Sequence, residues 1–159
     1  MTGHLISVSS EFEHFRRLKS GHGRTVGYRM TSEDHLRQLR EQPGEVLWEN
    51  QRYGSTYVVD RAGLDEIWRS GRVPVVHLGQ DQAVTAVIER TKGQSAWTVV
   101  ELHCDPALIR SRIVARATGD TDARVTAAAE TPRLATADLR IDTGTVSPEV
   151  AAEMIARCM

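Results

Sequence analysis

At 159 residues, 40% of them hydrophobic and 26% charged, the chain has the size and composition of one globular domain with room for a substantial core. Its net charge of −1, from 20 basic and 21 acidic side chains, excludes an overall field that would draw it to nucleic acid or to a membrane surface. No apolar run reaches membrane-spanning length and Met1 to Leu5 lacks the layout of a signal peptide, so the expected location is cytoplasmic, with no membrane partner. Lysine occurs only at Lys19 and Lys92, leaving nearly all positive charge on arginine, whose planar fork suits phosphate and carboxylate oxygens. Cys104 and Cys158 make no metal-ligand spacing and read as reduced thiols.

In chain order, Leu5 to Ser9 reads as a short strand. The arginine-rich stretch from Glu11 to Arg24, broken by Gly21 and Gly23, reads as a loop or ragged helix, and Val26 to Met30 as a strand. Thr31-Ser32-Glu33-Asp34 supplies a cap and acidic first turn for a helix ending near Gly44. Strands are expected over Glu45 to Glu49 and Arg52 to Val58, then a helix from Asp60 stopped by Gly71. Val73 to Leu78 is almost unbroken apolar sequence, as in a strand buried on both faces. Ala83, Val84, Val87 and Ile88 fall at helical spacing, Trp97 to Leu102 is strand-like, and Asp105-Pro106 opens another helix. A polar segment follows Arg116, then a helix through Ala129, a strand over Ala137 to Ile141, and a helix capped by Ser147-Pro148-Glu149. From Val73 onward, alternating strands and helices predict an α/β fold with a parallel sheet and right-handed crossovers. The β-rich first third reads as an insertion that closes over a ligand.

The sharpest local pattern is Arg52-Tyr53-Gly54-Ser55-Thr56, just after Trp48-Glu49. A tyrosine and a serine two apart on a strand share a face, and with a nearby glutamate they can hydrogen-bond a phosphate and a base edge. An ordinary tight hairpin accounts for the same residues. Arg112 and Arg116 are four apart, on one helical face, either as a phosphate clamp or as a solvated basic stripe. His14, His22 and His77 make no metal spacing and read as surface or loop residues.

In order and approximate spacing the chain resembles the guanylate kinases. It carries Ser7-Val8-Ser9-Ser10, Arg16-Arg17, Tyr28 ahead of Met30-Thr31-Ser32-Glu33-Asp34, then Trp48-Glu49 and Tyr53-Gly54-Ser55-Thr56. Further on, Leu108 to Arg116 resembles the helix entering the family's lid, and Arg124 the arginine on its far side. The resemblance implies one guanylate-kinase-like domain over 1–159: a parallel-sheet P-loop-kinase core, a nucleoside-monophosphate-binding insertion near 10–60 and a short lid near 116–124. It implies substrate contacts from Ser9, Arg16, Arg17, Tyr28, Tyr53 and Ser55, with Glu49 near the base-reading glutamate but in swapped order with Trp48. Arg112, Arg116 and Arg124 would stabilise the transferred phosphoryl group.

Three features depart from the family pattern. No Gly-x-x-x-x-Gly-Lys-Ser/Thr occurs: Lys19-Ser20 has Glu13 and Leu18 where the glycines belong. Gly79 stands nearest the family's acidic base contact, as in the ribose bisphosphokinase branch, and Glu13 replaces the first phosphate-binding arginine. The resulting expectation is a phosphotransferase acting from MgATP on a nucleoside monophosphate or related sugar phosphate, with the phosphate-loop unit missing or degenerate and the chain inactive as it stands. The alternative is a non-catalytic module of the same fold that binds a nucleotide, a phosphopeptide or a partner protein. Nucleic acid is not an expected partner, and a homodimer is an expected state if an apolar sheet edge lies open.

Overall fold

The computed structural model describes residues 2–52, 54–115, 121–129 and 133–159, leaving aside the side chains of 123, 124, 127 and 129. It divides the chain into two compact units. One comprises Met1–Ser9, Gly79–Asp81 and Trp97–Met159, the other Ser10–Leu78 and Gln82–Ala96.

The chain opens with a correction to the sequence reading. Thr2–Val8 is a helix (α1), not the strand expected over 5–9. Leu5 is its one buried residue, while Ile6 and Val8 stay exposed and Ser7 Oγ donates back to the Gly3 carbonyl at 2.8 Å. An apolar run with a single buried position satisfies a short helix against a neighbour as readily as a strand, and α1 lies against the C-terminal helix of its own unit. The first strand comes later, at Phe12–His14 (β1), inside the stretch expected to be loop or ragged helix.

Four further strands and a helix build the centre of the larger unit. They are β2 (Leu18–Gly21), β3 (Arg29–Met30), β4 (Val46–Arg52) and β5 (Ser55–Asp60), with α2 (Glu33–Glu41) between β3 and β4. They form a mixed sheet in the order β3-β2-β5-β4, in which β2 and β3 run parallel and β2–β5 and β4–β5 antiparallel. Alternation along β2 and β5 turns Leu18 and Val58 to one face, where they pack with Leu36 and Leu39 of α2. Ser32 caps α2 as its sequence implies, accepting from the His35 N–H at 3.1 Å.

Asp60 ends β5 and caps α3 (Arg61–Arg69), its Oδ2 accepting from the Gly63 N–H at 3.0 Å. The same carboxylate takes both arms of the Arg29 guanidinium. Arginines also fasten the surrounding loops: Arg61 donates to the carbonyls of Gly44 and Arg90, and Arg90 to that of Leu47. After α3 comes β6, only Val73–Val75, parallel to β1 with Phe12 opposite Val73 and His14 opposite Val75. The Val73 N–H donates to the Glu11 carbonyl at 2.7 Å and the Phe15 N–H to that of Val75 at 3.1 Å. Helix α4 (Asp81–Arg90) follows.

The smaller unit holds β7 (Val100–His103) and β8 (Leu139–Asp142), parallel to each other, with α5 (Pro106–Ala115) and α6 (Thr121–Ala129) in the connection and α7 (Pro148–Arg157) after β8. Glu101 and Arg140 face each other across the pair and join at 2.8 Å. The parallel α/β pattern expected from Val73 onward is present, but its strands pair two by two, β1 with β6 and β7 with β8. Of the lid expected near 116–124, residues 116–120 lie outside the described residues.

Asp60 is almost fully buried, and Arg29 keeps 29% of its side-chain exposure. Asp60→Ala removes a helix cap and strands that guanidinium together, and should lower unfolding free energy by about 2–4 kcal/mol. Asp60→Asn, which keeps the cap, should lose less. Urea unfolding of the two variants checks the order, and equal losses would contradict it.

Candidate functional site

Turning Leu18 and Val58 into the core sends their neighbours to the opposite face of the mixed sheet. Lys19 stands directly across from Tyr57 and Gly21 from Ser55 on β2 and β5, and Arg17 precedes Lys19 by two residues. Tyr28, at the end of the 22–28 loop, completes the group. Its ring lies 5.3 Å from that of Tyr57. The Arg17 guanidinium sits 5.2 Å from the Tyr57 centroid and 5.9 Å from that of Tyr28, and Lys19 Nζ is 5.7 Å from each. Two cations therefore share two aromatic faces, an arrangement in which each contact contributes about 0.5–2 kcal/mol, more as water is excluded.

Lys19 is only 2% exposed. Its ammonium donates to the carbonyls of His22 and Arg24, which ties the 22–28 loop to the sheet. Ser55, also buried, donates its hydroxyl to the His22 carbonyl at 3.1 Å. Gly21 lets the backbone approach this closely. Its φ is +111°, and a Cβ there would meet Ser55 Oγ at 2.7 Å and the Gly54 carbonyl at 2.9 Å.

The residues expected to contact a substrate are thus only partly gathered. Arg17, Tyr28 and Ser55 meet on one face, with Ser55 committed to the loop. Arg16 is exposed and precedes Arg17 in the chain, its carbonyl accepting from Arg29 Nε at 2.8 Å. Glu49, on β4, is held bidentately by Arg40 of α2 at 2.8 and 2.9 Å. Ser9 follows α1 in the smaller unit, off any strand. Tyr53 lies outside the described residues. Lys19 and Tyr57 were not foreseen. The available signals were the scarcity of lysine and the two-residue spacing of Arg17 and Lys19, but the cross-strand register that pairs Lys19 with Tyr57 is nonlocal.

Of the arginines expected to act on a phosphoryl group, Arg112 extends from α5 to the β8–α7 loop. It donates to Thr143 Oγ1 at 3.0 Å and to the Thr143 carbonyl at 2.8 Å, and lies 3.8 Å from Cys104 Sγ. Arg116 and the Arg124 side chain are outside the described residues. Among the described residues no group of three or more His, Cys, Asp or Glu could hold a metal ion, and no helix is long and apolar enough to cross a membrane.

A second feature lies at the C-terminal ends of the parallel strands β1 and β6. The rings of His14 and His77 pack edge to face, 5.1 Å apart. Partial burial and then Arg16 hold His14 below the ordinary 6.5; His77 is displaced the same way by desolvation and then by the charges of His14 and Arg17, although the residue as a whole stays exposed.

No protein-family model matches the sequence, and no curated protein matches it. Among solved structures, the chain is similar to a guanylate kinase from Anaplasma phagocytophilum, with a TM-score of 0.69 over 99% of this chain and 79% of that one. The fold is that of a guanylate kinase. Sequence identity is 15%, so the likeness reaches the fold and stops there. The guanylate-kinase-like α/β fold expected from the motif series is therefore present, although Ser7 to Ser10, taken there as a strand, begins inside a helix.

The depressed histidines fix a sign for pH dependence. A group that binds its proton less readily when folded makes the unfolded chain the better proton acceptor, so stability is full above about pH 6.5 and declines as pH falls through that value. Thermal melts across this range should show the decline, and the His14→Gln/His77→Gln double variant should flatten it. An unchanged slope in that variant would assign the effect elsewhere.

Proposed function

We propose that this chain is a guanylate-kinase-like module whose mixed-sheet unit binds the phosphate of a nucleoside monophosphate or a related sugar phosphate. The observation that carries this reading is the clustering of Arg17, Lys19, Tyr28 and Tyr57 on the sheet face turned away from α2. Lys19 is spent on the loop, which leaves Arg17, half-buried between the rings, and the exposed Arg16 to meet an anion. An arginine fork offers two parallel donors to a phosphate, and the flanking rings keep the guanidinium in place.

The residues that would read a base support the sugar-phosphate end of this range. Glu49 is occupied by Arg40, and Gly79 supplies no side chain. In the kinase form of the reading, Arg112, Arg116 and Arg124 would spread positive charge around a phosphoryl group passing from MgATP. The residues present do not fit that nucleotide. A triphosphate cradle needs glycines, a free lysine and a hydroxyl on magnesium. Here Lys19 is buried against backbone carbonyls, and Lys92 sits in the turn after α4, before Gly93. No transfer step is therefore derived, and binding is the activity these residues support. The engagement of Arg112 with Thr143 favours the same non-catalytic form, in which a phosphopeptide or partner protein could supply the anion.

Calorimetric titration with GMP and with ribose 5-phosphate tests the reading. Both should bind at millimolar concentration or below, and Arg17→Ala should weaken binding about 10- to 100-fold, the worth of a hydrogen bond to a charged group. Failure of wild-type protein to bind either compound would overturn it. A coupled assay for ADP release with MgATP and GMP should detect no turnover, and a rate of about 1–100 per second would restore the kinase reading.

A further inference from the structure

Residues paired across neighbouring strands point to the same face of a sheet, so the face that carries the cations can be followed from β2 through β5 to β4. Lys19 stands opposite Tyr57, and Tyr57 in turn stands opposite Asn50. Glu49, one residue earlier, meets Arg40 of α2, which fixes Asn50 on the side turned away from that helix. Directly opposed side chains of an antiparallel pair leave the backbone with Cβ atoms about 4.5–5.5 Å apart. Tyr57 therefore has the Asn50 amide beside it on β4, while its ring lies 5.2 Å from the Arg17 guanidinium. One tyrosine separates the arginine fork from the amide.

That amide has an unmet demand. Asn50 Oδ1 is closed off from solvent and accepts no hydrogen bond among the described residues. A buried acceptor without a donor gives up its bonds to water and gets nothing back, so it calls for an explanation. Of the other two side-chain oxygens in this position, Glu13 Oε2 has the Arg72 guanidinium at 2.8 Å, and Ser95 Oγ lies beyond α4, in neither case on this face. Asn50 as a residue is only partly buried, and the broad terminal torsion of an asparagine lets its amide turn to meet a ligand.

We infer that Asn50 is a specificity-determining residue of the Arg17 site: with a phosphate on the arginine fork, the Asn50 carbonyl oxygen accepts a hydrogen bond from a hydroxyl of the same ligand. The inference rests on the binding reading above and narrows it to phosphates that carry hydroxyl groups, sugar phosphates first among them. An ionised phosphate has acceptors to offer and cannot meet an amide oxygen. A hydroxyl can, and a sugar holds its hydroxyls a few bonds from its phosphate, as a ligand spanning one tyrosine requires. A bare oxyanion would answer Arg17 and leave Asn50 as it was. Discrimination then follows from the cost of the orphan, because a site with a buried acceptor favours the ligand that satisfies it.

Calorimetric titrations with ribose 5-phosphate and with propyl phosphate, which has no alcohol hydroxyl, separate the two contacts. Wild-type protein should bind ribose 5-phosphate about 3- to 10-fold more tightly, the worth of one neutral hydrogen bond. Asn50→Leu should lose that preference and bind propyl phosphate as the wild type does. A readout independent of the variant's folding comes from the sequence, in which Asn50 is the one asparagine. Isotope-labelled asparagine therefore gives a single side-chain amide group in the NMR spectrum of the wild-type protein. Its signals should move with ribose 5-phosphate and stay in place with propyl phosphate. Equal affinity of the wild type for the two compounds, a preference that survives in Asn50→Leu, or amide signals indifferent to ribose 5-phosphate would overturn this inference and leave the Arg17 site standing. No binding of ribose 5-phosphate, propyl phosphate or GMP would overturn both.

Discussion

Removing an ammonium group from water costs several kcal/mol unless fixed dipoles take the water's place. For Lys19 those dipoles are the carbonyls of His22 and Arg24 and the faces of Tyr28 and Tyr57. The requirement works in both directions. The lysine needs the loop to close over it, and the loop, rich in glycine and polar residues, has little apolar surface of its own to hold it down. With the loop held, Tyr28 reaches the sheet and the aromatic pair that flanks Arg17 is complete. Ser55 and Gly21 serve the same closure, one by a hydrogen bond to the loop and one by having no side chain.

The cations of β2 lie on the face of the sheet turned away from α2 because Leu18 is turned toward it. Alternation along β2 assigns Leu18 to α2 and, by the same geometry, Arg17 and Lys19 to the far side. A one-residue slip between β2 and β5 would exchange the two sets, placing an ammonium against Leu36 and Leu39. Core packing and the cation–aromatic cluster are thus two sides of one register. Arg40 and Glu49 add a local check, clamping α2 to β4 on the same sheet.

Elements defined by local chemistry were legible in the sequence. Ser32, Asp60 and Ser147 each cap the helix they announce, because capping depends on a side chain and an N–H two or three residues away. The strands β1 and β2 were not legible: they are three and four residues long, lie in arginine-rich sequence, and exist through partners at 73–75 and 55–58. The N-terminal segment misled because Leu5, Ile6 and Val8 suit a strand, whereas burial of Leu5 alone suits α1. For the site, Arg17, Tyr28 and Ser55 could be named from motif order. Lys19 with Tyr57 and His14 with His77 required pairings that only the folded chain makes.

Proline 74 gives the β1–β6 pair one further property. In a parallel ladder alternate residues bond to opposite sides, and Val73 and Val75 both bond toward β1, so Pro74 faces the other side. Among the described residues β6 pairs only with β1. Pro74 has no N–H to offer there. In a strand of three residues, this removes the donor at the centre of that side, where Pro74 is itself buried, and any strand laid along it would find an acceptor with no donor beside it. The residue at the centre of β6 therefore also limits what can pair along the side of the strand turned away from β1.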